Sequence, residues 1–160
     1  MASKPRTATP RPIVPYPLPK KLAPNLARVR AYWEKLRRGE NSMPFWDDVN
    51  LSSLPELSPR LILVDAFDLP QRFRINFIGP QLVKQYGGPL AGKFADEMEV
   101  KSPFEYFLSQ CSATVERGAP SYYVHGASAA GKPRKPKPYA RILLPMWGNG
   151  RVSMLLGAID

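Results

Sequence analysis

The stretch RFRINFIGPQLVKQYGGPLAGKFADEM, Arg72 to Met98, decides the fold. It begins with an alternation: Phe73, Ile75 and Phe77 are apolar, while Arg72, Arg74 and Asn76 are polar. That period predicts a strand with one buried face. PQLVKQYG, residues 80–87, then reads as a short helix. Pro80 opens it, Leu82, Val83 and Tyr86 share one side, and Gly87 stops it. From Gly87 the chain runs G-x-x-x-x-G-K-F, one residue away from the phosphate loop G-x-x-x-x-G-K-[ST]. The differing residue carries the chemistry. In the motif a Ser or Thr hydroxyl binds the magnesium that bridges the phosphates, and Phe94 has no oxygen. The context fails as well. A short helix precedes the glycines where a buried strand is needed, and Pro89 removes an N–H from the cradle. The stretch is therefore expected to be a glycine link between two short helices. KFADEM forms one more helical turn, and Lys93 faces solvent.

The flanks extend the pattern. RLILVDAF (60–67) is a strand joined to the first by the turn DLPQ, so the two form a hairpin. SPFEYFLSQCSATVERG (102–118) is the strongest predicted helix of the domain. Ser102 is its cap, Pro103 its first position and Glu105 the partner in a capping box, with Gly118 as the stop. SYYVHG (121–126), YARILLPMW (139–147) and RVSMLLGAI (151–159) are strands, the last two joined by the tight turn GNG. A basic Gly/Lys/Pro segment, 126–138, is a long exposed loop between the first two. The order β-β-α-α-α-β-β-β predicts an α+β domain with one antiparallel sheet.

Upstream, NSMPFWDDVNLSSLPELSP (41–59) is an irregular bridge with a helical turn near Asp47–Asn50. Before it, a helix over 21–40 starts at Pro24 and Asn25 and stops at Gly39. Leu22, Leu26, Val29, Trp33 and Leu36 form one apolar stripe, and Glu34 and Arg38 an i,i+4 pair. The stripe packs on the chain's own domain, against a second subunit, or on both. Residues 1–20 hold six prolines and read as a disordered, basic tail. The expected organisation is thus tail 1–20, helix 21–40 and a single domain 41–160.

Composition excludes several classes. The 160 residues suit one domain with a tail, and a hydrophobic fraction of 44% suffices for a core. No apolar run approaches the ~20 residues of a membrane span, and the N-terminus has no apolar core of a secretory signal. The single cysteine, Cys111, excludes an internal disulfide and fits a reducing, cytoplasmic setting. One histidine and one cysteine cannot build a Cys/His zinc site. The net charge of +10 is uneven, +8 over residues 1–40 and +2 over 41–160, with a local cluster at Lys132, Arg134, Lys135 and Lys137. An alternative function follows from that charge: an accessory binder of nucleic acid or anionic surfaces through the tail and the 132–137 loop.

The element order is that of a PAS domain, and the chain resembles a family of short bacterial single-PAS proteins. The resemblance lies in VRAYWEKLRRGENSMP (29–44), LSPRLILVDAF (57–67), the opening stretch and YARILLPMWGNGRVSMLLGAI (139–159), spanning roughly residues 27 to 159. It implies a five-stranded antiparallel sheet, one face roofed by short helices around a small pocket. It further implies a sensory or regulatory module without catalysis and without its own output domain, acting through an unidentified signalling partner or through self-association. Pairing through the front helix and the open sheet face is implied too. That gives an expected homodimer built on Leu26, Val29, Trp33 and Leu36, with Val29 and Trp33 central.

The resemblance supplies no binding residues. The candidates for lining the pocket are Tyr86, Phe94, Phe104, Phe107, Tyr123 and Arg141, and the expected ligand is a small apolar or anionic metabolite. Haem, flavin and nucleotide are not expected. The only histidine, His125, lies on a strand, and the helix 102–118 offers none as an axial ligand. Cys111, in SQCSAT, lacks the N-C-R setting of a photoreactive flavin site and reads as a small apolar filler. Asp65, Asp68, Asp96 and Glu97 show no metal-like spacing, and no serine or cysteine has an evident base, so no catalytic residue is assigned. Arg141 is unusual: it stands mid-strand between apolar neighbours. It calls for a carboxylate such as Asp65, a position at the sheet rim, or a bound anion.

Overall fold

The computed structural model describes residues 15–126 and 138–160. The chain runs α1 (Pro24–Leu36), β1 (Leu61–Asp68), β2 (Gln71–Ile78), α2 (Pro80–Tyr86), α3 (Phe107–Arg117), β3 (Ser121–His125), β4 (Tyr139–Gly148) and β5 (Arg151–Ile159). Single 3-10 turns occur at Trp46–Asp48, Leu51–Ser53, Ser58–Arg60 and Ala95–Glu97. The strands form one antiparallel sheet in the order β2-β1-β5-β4-β3. The last strand is therefore central. Asn149 and Gly150 both take positive φ, 55° and 77°, the two-residue turn whose twist suits antiparallel strands, and they fold β5 back on β4.

The register assigns the two faces. Arg141 stands opposite Tyr123 on β3 and Ile159 on β5, and its side chain bonds Gln110 of α3. That face is roofed by α2, α3 and the segment between them. One residue out of phase, Ile142 pairs with Ala158 and Ala158 with Leu61. This second face is covered by α1: Leu26 and Val29 meet Leu61 and Ala158 around a small cleft. Trp33 donates from Nε1 to the Pro145 carbonyl at 2.8 Å. With helices on both faces, β4 and β5 read as nearly continuous apolar runs.

Both outer edges of the sheet carry a clip. On β2, Gly92 donates its N–H to the Ile75 carbonyl at 2.7 Å; Ile75 in turn donates to the Lys93 carbonyl at 2.8 Å. Gly92 turns the chain with φ 85°, a conformation that a side chain disfavours. The Lys93 N–H goes to the Leu90 carbonyl at 2.9 Å, and its side chain is exposed. On β3, Tyr122 donates its N–H to the Tyr16 carbonyl at 3.0 Å. Such pairing blunts edges that would otherwise add strands.

Several expectations need correction. Phe77 does not share the buried face of Phe73 and Ile75. A bulge at Leu63/Val64 shifts the register, so that Ile78 pairs with Ile62 and Phe77 with Leu63. The main helix begins at Phe107, not Ser102, because Tyr106 is left-handed with φ 58°. The Ser102/Glu105 capping box does not form. Glu34 pairs with Arg37 at 3.2 Å, since α1 stops at Leu36, and Arg38 turns instead to Asp48 with bonds of 2.9 and 2.7 Å. The tail is docked at its end: Tyr16 bonds β3, and Leu18 packs on the core. Residues 1–14 and the basic positions Lys132, Arg134, Lys135 and Lys137 lie outside the described residues.

The stripe of α1 belongs to the chain's own core. Val29 is 1% and Trp33 2% exposed, and Leu26 is buried beside them, while Leu36 is half-buried. A dimer centred on Val29 and Trp33 would require α1 to leave the sheet. Among the described residues, no helix is long and apolar enough to cross a membrane.

Candidate ligand groove

The roof does not close completely. Between α3, β2 and the chain at Ala95–Val100 lies an open groove of about 1030 Å³. It runs from Gln71 and Phe73 on β2 to His125 on β3. Phe73, Phe104 and Phe107 form buried parts of its wall. Phe104 meets Phe107 edge-on at 5.0 Å, with Tyr86 behind it at 5.8 Å. Val100, Tyr106 and Leu108 stand exposed along it. The late start of α3 leaves residues 101–106, Tyr106 among them, as a loop over the sheet.

That loop is held from below by Arg141. The guanidinium donates from Nε to Gln110 Oε1 at 2.7 Å, from Nη1 to the Pro103 carbonyl at 2.9 Å, and from Nη2 to the Glu105 carbonyl at 2.9 Å. These carbonyls fix the segment that the sequence assigned to the first turn of a helix. The rings of Tyr123, Phe107 and Tyr139 lie 5.0, 5.2 and 6.0 Å from the guanidinium carbon. Among the described residues Arg141 has no ion pair. Burial pulls its pKa below the usual arginine value, although the group stays charged. Gln110 completes the network. Its amide nitrogen donates to Ser121 Oγ at 2.9 Å and to the Arg141 carbonyl at 3.3 Å. Thr114 Oγ1 donates to the Gln110 carbonyl at 2.7 Å and lies 2.6 Å from Ser121 Oγ. A buried polar network is stable only when satisfied throughout, and this one is.

At the β3 end the groove meets a polar cluster. The Tyr139 hydroxyl donates to Glu105 Oε1 at 2.6 Å, and the Glu105 N–H donates to the same hydroxyl at 3.2 Å. His125 stacks on Tyr139 at 5.2 Å; its Nδ1 lies 2.6 Å from the Tyr123 hydroxyl and its Nε2 3.7 Å from Glu105 Oε2. Burial first, then the bond to Glu105, pushes the Tyr139 phenol well above its ordinary value, and burial likewise raises Tyr123. Cys111 sits fully buried near Arg141, and burial pushes its thiol up.

The candidate pocket residues separate into groups. Phe104 and Phe107 line the groove. Tyr86 stands behind Phe104, its hydroxyl tied to Glu99. Tyr123 and Arg141 lie beneath the β3 end and do not line it. Phe94 is elsewhere, at the β2 edge, with the Arg72 guanidinium 3.7 Å over its ring. Arg141 is 0% exposed with every nitrogen bonded, so a bound anion cannot reach it. Nor does it pair with Asp65, which lies across the sheet and binds Arg74 at 3.1 Å. Glu105 and His125 are polar groups of the groove that the sequence did not mark as pocket residues. Glu105 fitted a capping box, and a lone strand histidine carries no signal. Among the described residues no three His, Cys, Asp or Glu side chains group as metal ligands.

No protein-family model matches the chain, and no curated protein matches it in sequence.

Proposed function

We propose that the chain is a PAS-type sensory or regulatory module that works by binding and not by chemistry. A small ligand with an apolar body enters the groove, and a partner protein or a second copy of the chain reads its occupancy. The observation that carries this reading is the groove itself: an open, mostly apolar cleft with its wall loop held rigidly from beneath by Arg141. The element order and the single antiparallel sheet, with the shorter helices α2 and α3 on one face and α1 on the other, agree with what the PAS resemblance implies of sheet and roof. The groove's serines support a binding role. Ser109 Oγ accepts from Tyr16 at 2.7 Å and Ser112 Oγ donates to Gln71 at 2.9 Å, so neither is poised on His125. Native mass spectrometry tests the reading. The expected result is a co-purifying small molecule, released on denaturation and lost in Leu108→Glu. A protein that carries nothing, and whose Leu108 and Tyr106 signals ignore a mixed small-molecule library, would sink it. A preparation with stoichiometric haem or flavin would replace it.

A further inference from the structure

We infer that the groove's ligand is a hydrophobic amine, an alkyl or aryl body bearing a protonated nitrogen, and that Glu105 receives the nitrogen; the inference rests on reading the groove as a ligand site. The chain carries +10, yet among the described residues the groove is lined by no lysine or arginine. Its carboxylates are Asp96, Glu99 and Glu105. Two of these are engaged with cations. Asp96 takes two 2.8 Å bonds from Arg72, and Glu99 lies 3.3 Å from Lys101.

Glu105 differs in setting. Its side chain is only 19% exposed, and among the described residues no lysine or arginine pairs with it. The Tyr139 bond holds Oε1 in place. Oε2 faces His125 Nε2 at 3.7 Å, beyond hydrogen-bonding distance. A ligand ammonium at Oε2 forms a charge-assisted bond to a carboxylate already ordered and partly desolvated. Tyr106 and Phe107 line the groove beside Glu105. The ligand's apolar body covers Phe73, Phe104 and Leu108. An anionic ligand finds the opposite: Glu105, with no lysine or arginine paired to it among the described residues, and Arg141 sealed beneath.

The test needs three ligands of one shape. Phenylbutylamine, phenylbutanol and phenylbutyrate are titrated into the isotope-labelled full chain, read by amide shifts at Tyr106, Leu108 and His125. The amine is expected to bind at least about tenfold tighter than either analogue, the worth of one charge-assisted bond. Glu105→Gln should bring it to the level of the alcohol. His125→Phe keeps a ring on Tyr139 and should not weaken the amine. Equal binding of the three, a carboxylate preference, or an amine indifferent to Glu105→Gln in a folded variant overturns the assignment but leaves the groove as a ligand site. No shift with any of them overturns both. Should Glu105→Gln not fold, the order of the three ligands on the wild type decides.

Discussion

The two faces of the sheet are held by different physics, although β4 supplies both. Beneath, Ile142, Leu144 and Met146 meet an apolar layer that includes Leu26, Val29 and Trp33, and one polar bond, from Trp33 to the Pro145 carbonyl, marks the contact with α1. Above, Arg141 sits among three rings, a glutamine and two backbone carbonyls, with no exposure at all. The lower face is non-directional and tolerates changes of shape that keep volume. The upper face is directional, since its donors meet acceptors at defined positions, 2.7 to 3.3 Å away. The difference teaches where specificity lies: α1 is placed by area, whereas the loop that walls the groove is placed by hydrogen bonds.

The largest expected effect comes from putting a charge on the apolar face. Val29→Glu buries a carboxylate at a position 1% exposed, against Leu26, Leu61 and Ala158, and should cost about 4 kcal/mol, enough to unfold a marginal domain. Urea denaturation followed by circular dichroism measures it. A variant that stays fully stable and only changes its sedimentation would mean that α1 packs on a second chain. Arg141→Met makes the reverse exchange. It strands Gln110 Oε1 and the Pro103 and Glu105 carbonyls, for a loss of about 3 kcal/mol after relief of the buried charge. Equal or higher stability would show that the network is replaceable by packing.

Trp33→Phe removes the bond from α1 to the Pro145 carbonyl and should cost about 1 kcal/mol. A loss as large as that of Arg141→Met would erase the distinction between the faces. A graded loss is expected at high pH. The fold holds Tyr139 and Tyr123 as neutral phenols with raised pKa. Their contribution is therefore complete below about pH 10, the ordinary tyrosine value, and declines as pH rises toward the folded-state values. Thermal midpoints across alkaline pH should fall less steeply in Tyr139→Phe than in the wild type. The smallest effect is at Lys93: Lys93→Ala should leave the midpoint unchanged, with or without magnesium and ATP. A nucleotide-dependent rise in the wild type that the variant loses would contradict the edge clip at Gly92–Lys93.

Local signals were legible to within a few residues. The Asn-Gly turn, Pro80 and Gly87 around α2, and the alternation in β2 each depend on a few neighbouring residues. The first turn of α3 was misread because Ser102, Pro103 and Glu105 have the right chemistry for a helix start. What overrides it is distant: two of the loop's carbonyls serve Arg141. The groove was half legible. Phe104 and Phe107 announce an aromatic wall by composition, but Glu105 becomes a groove carboxylate only once Tyr139 arrives from another strand.

The sequence by itself determined the element order and the single antiparallel sheet, because both follow from periodicity and turn sterics. Only the tertiary structure decided that α1 lies on its own sheet, that Gly92 and Tyr16 clip the edges, and that Arg141 needs no carboxylate. Those outcomes depend on which backbone groups are brought within about 3 Å of one another. That is set by pairing distant parts of the chain, Leu61 with Ala158 and Tyr16 with Tyr122, and no local pattern encodes it.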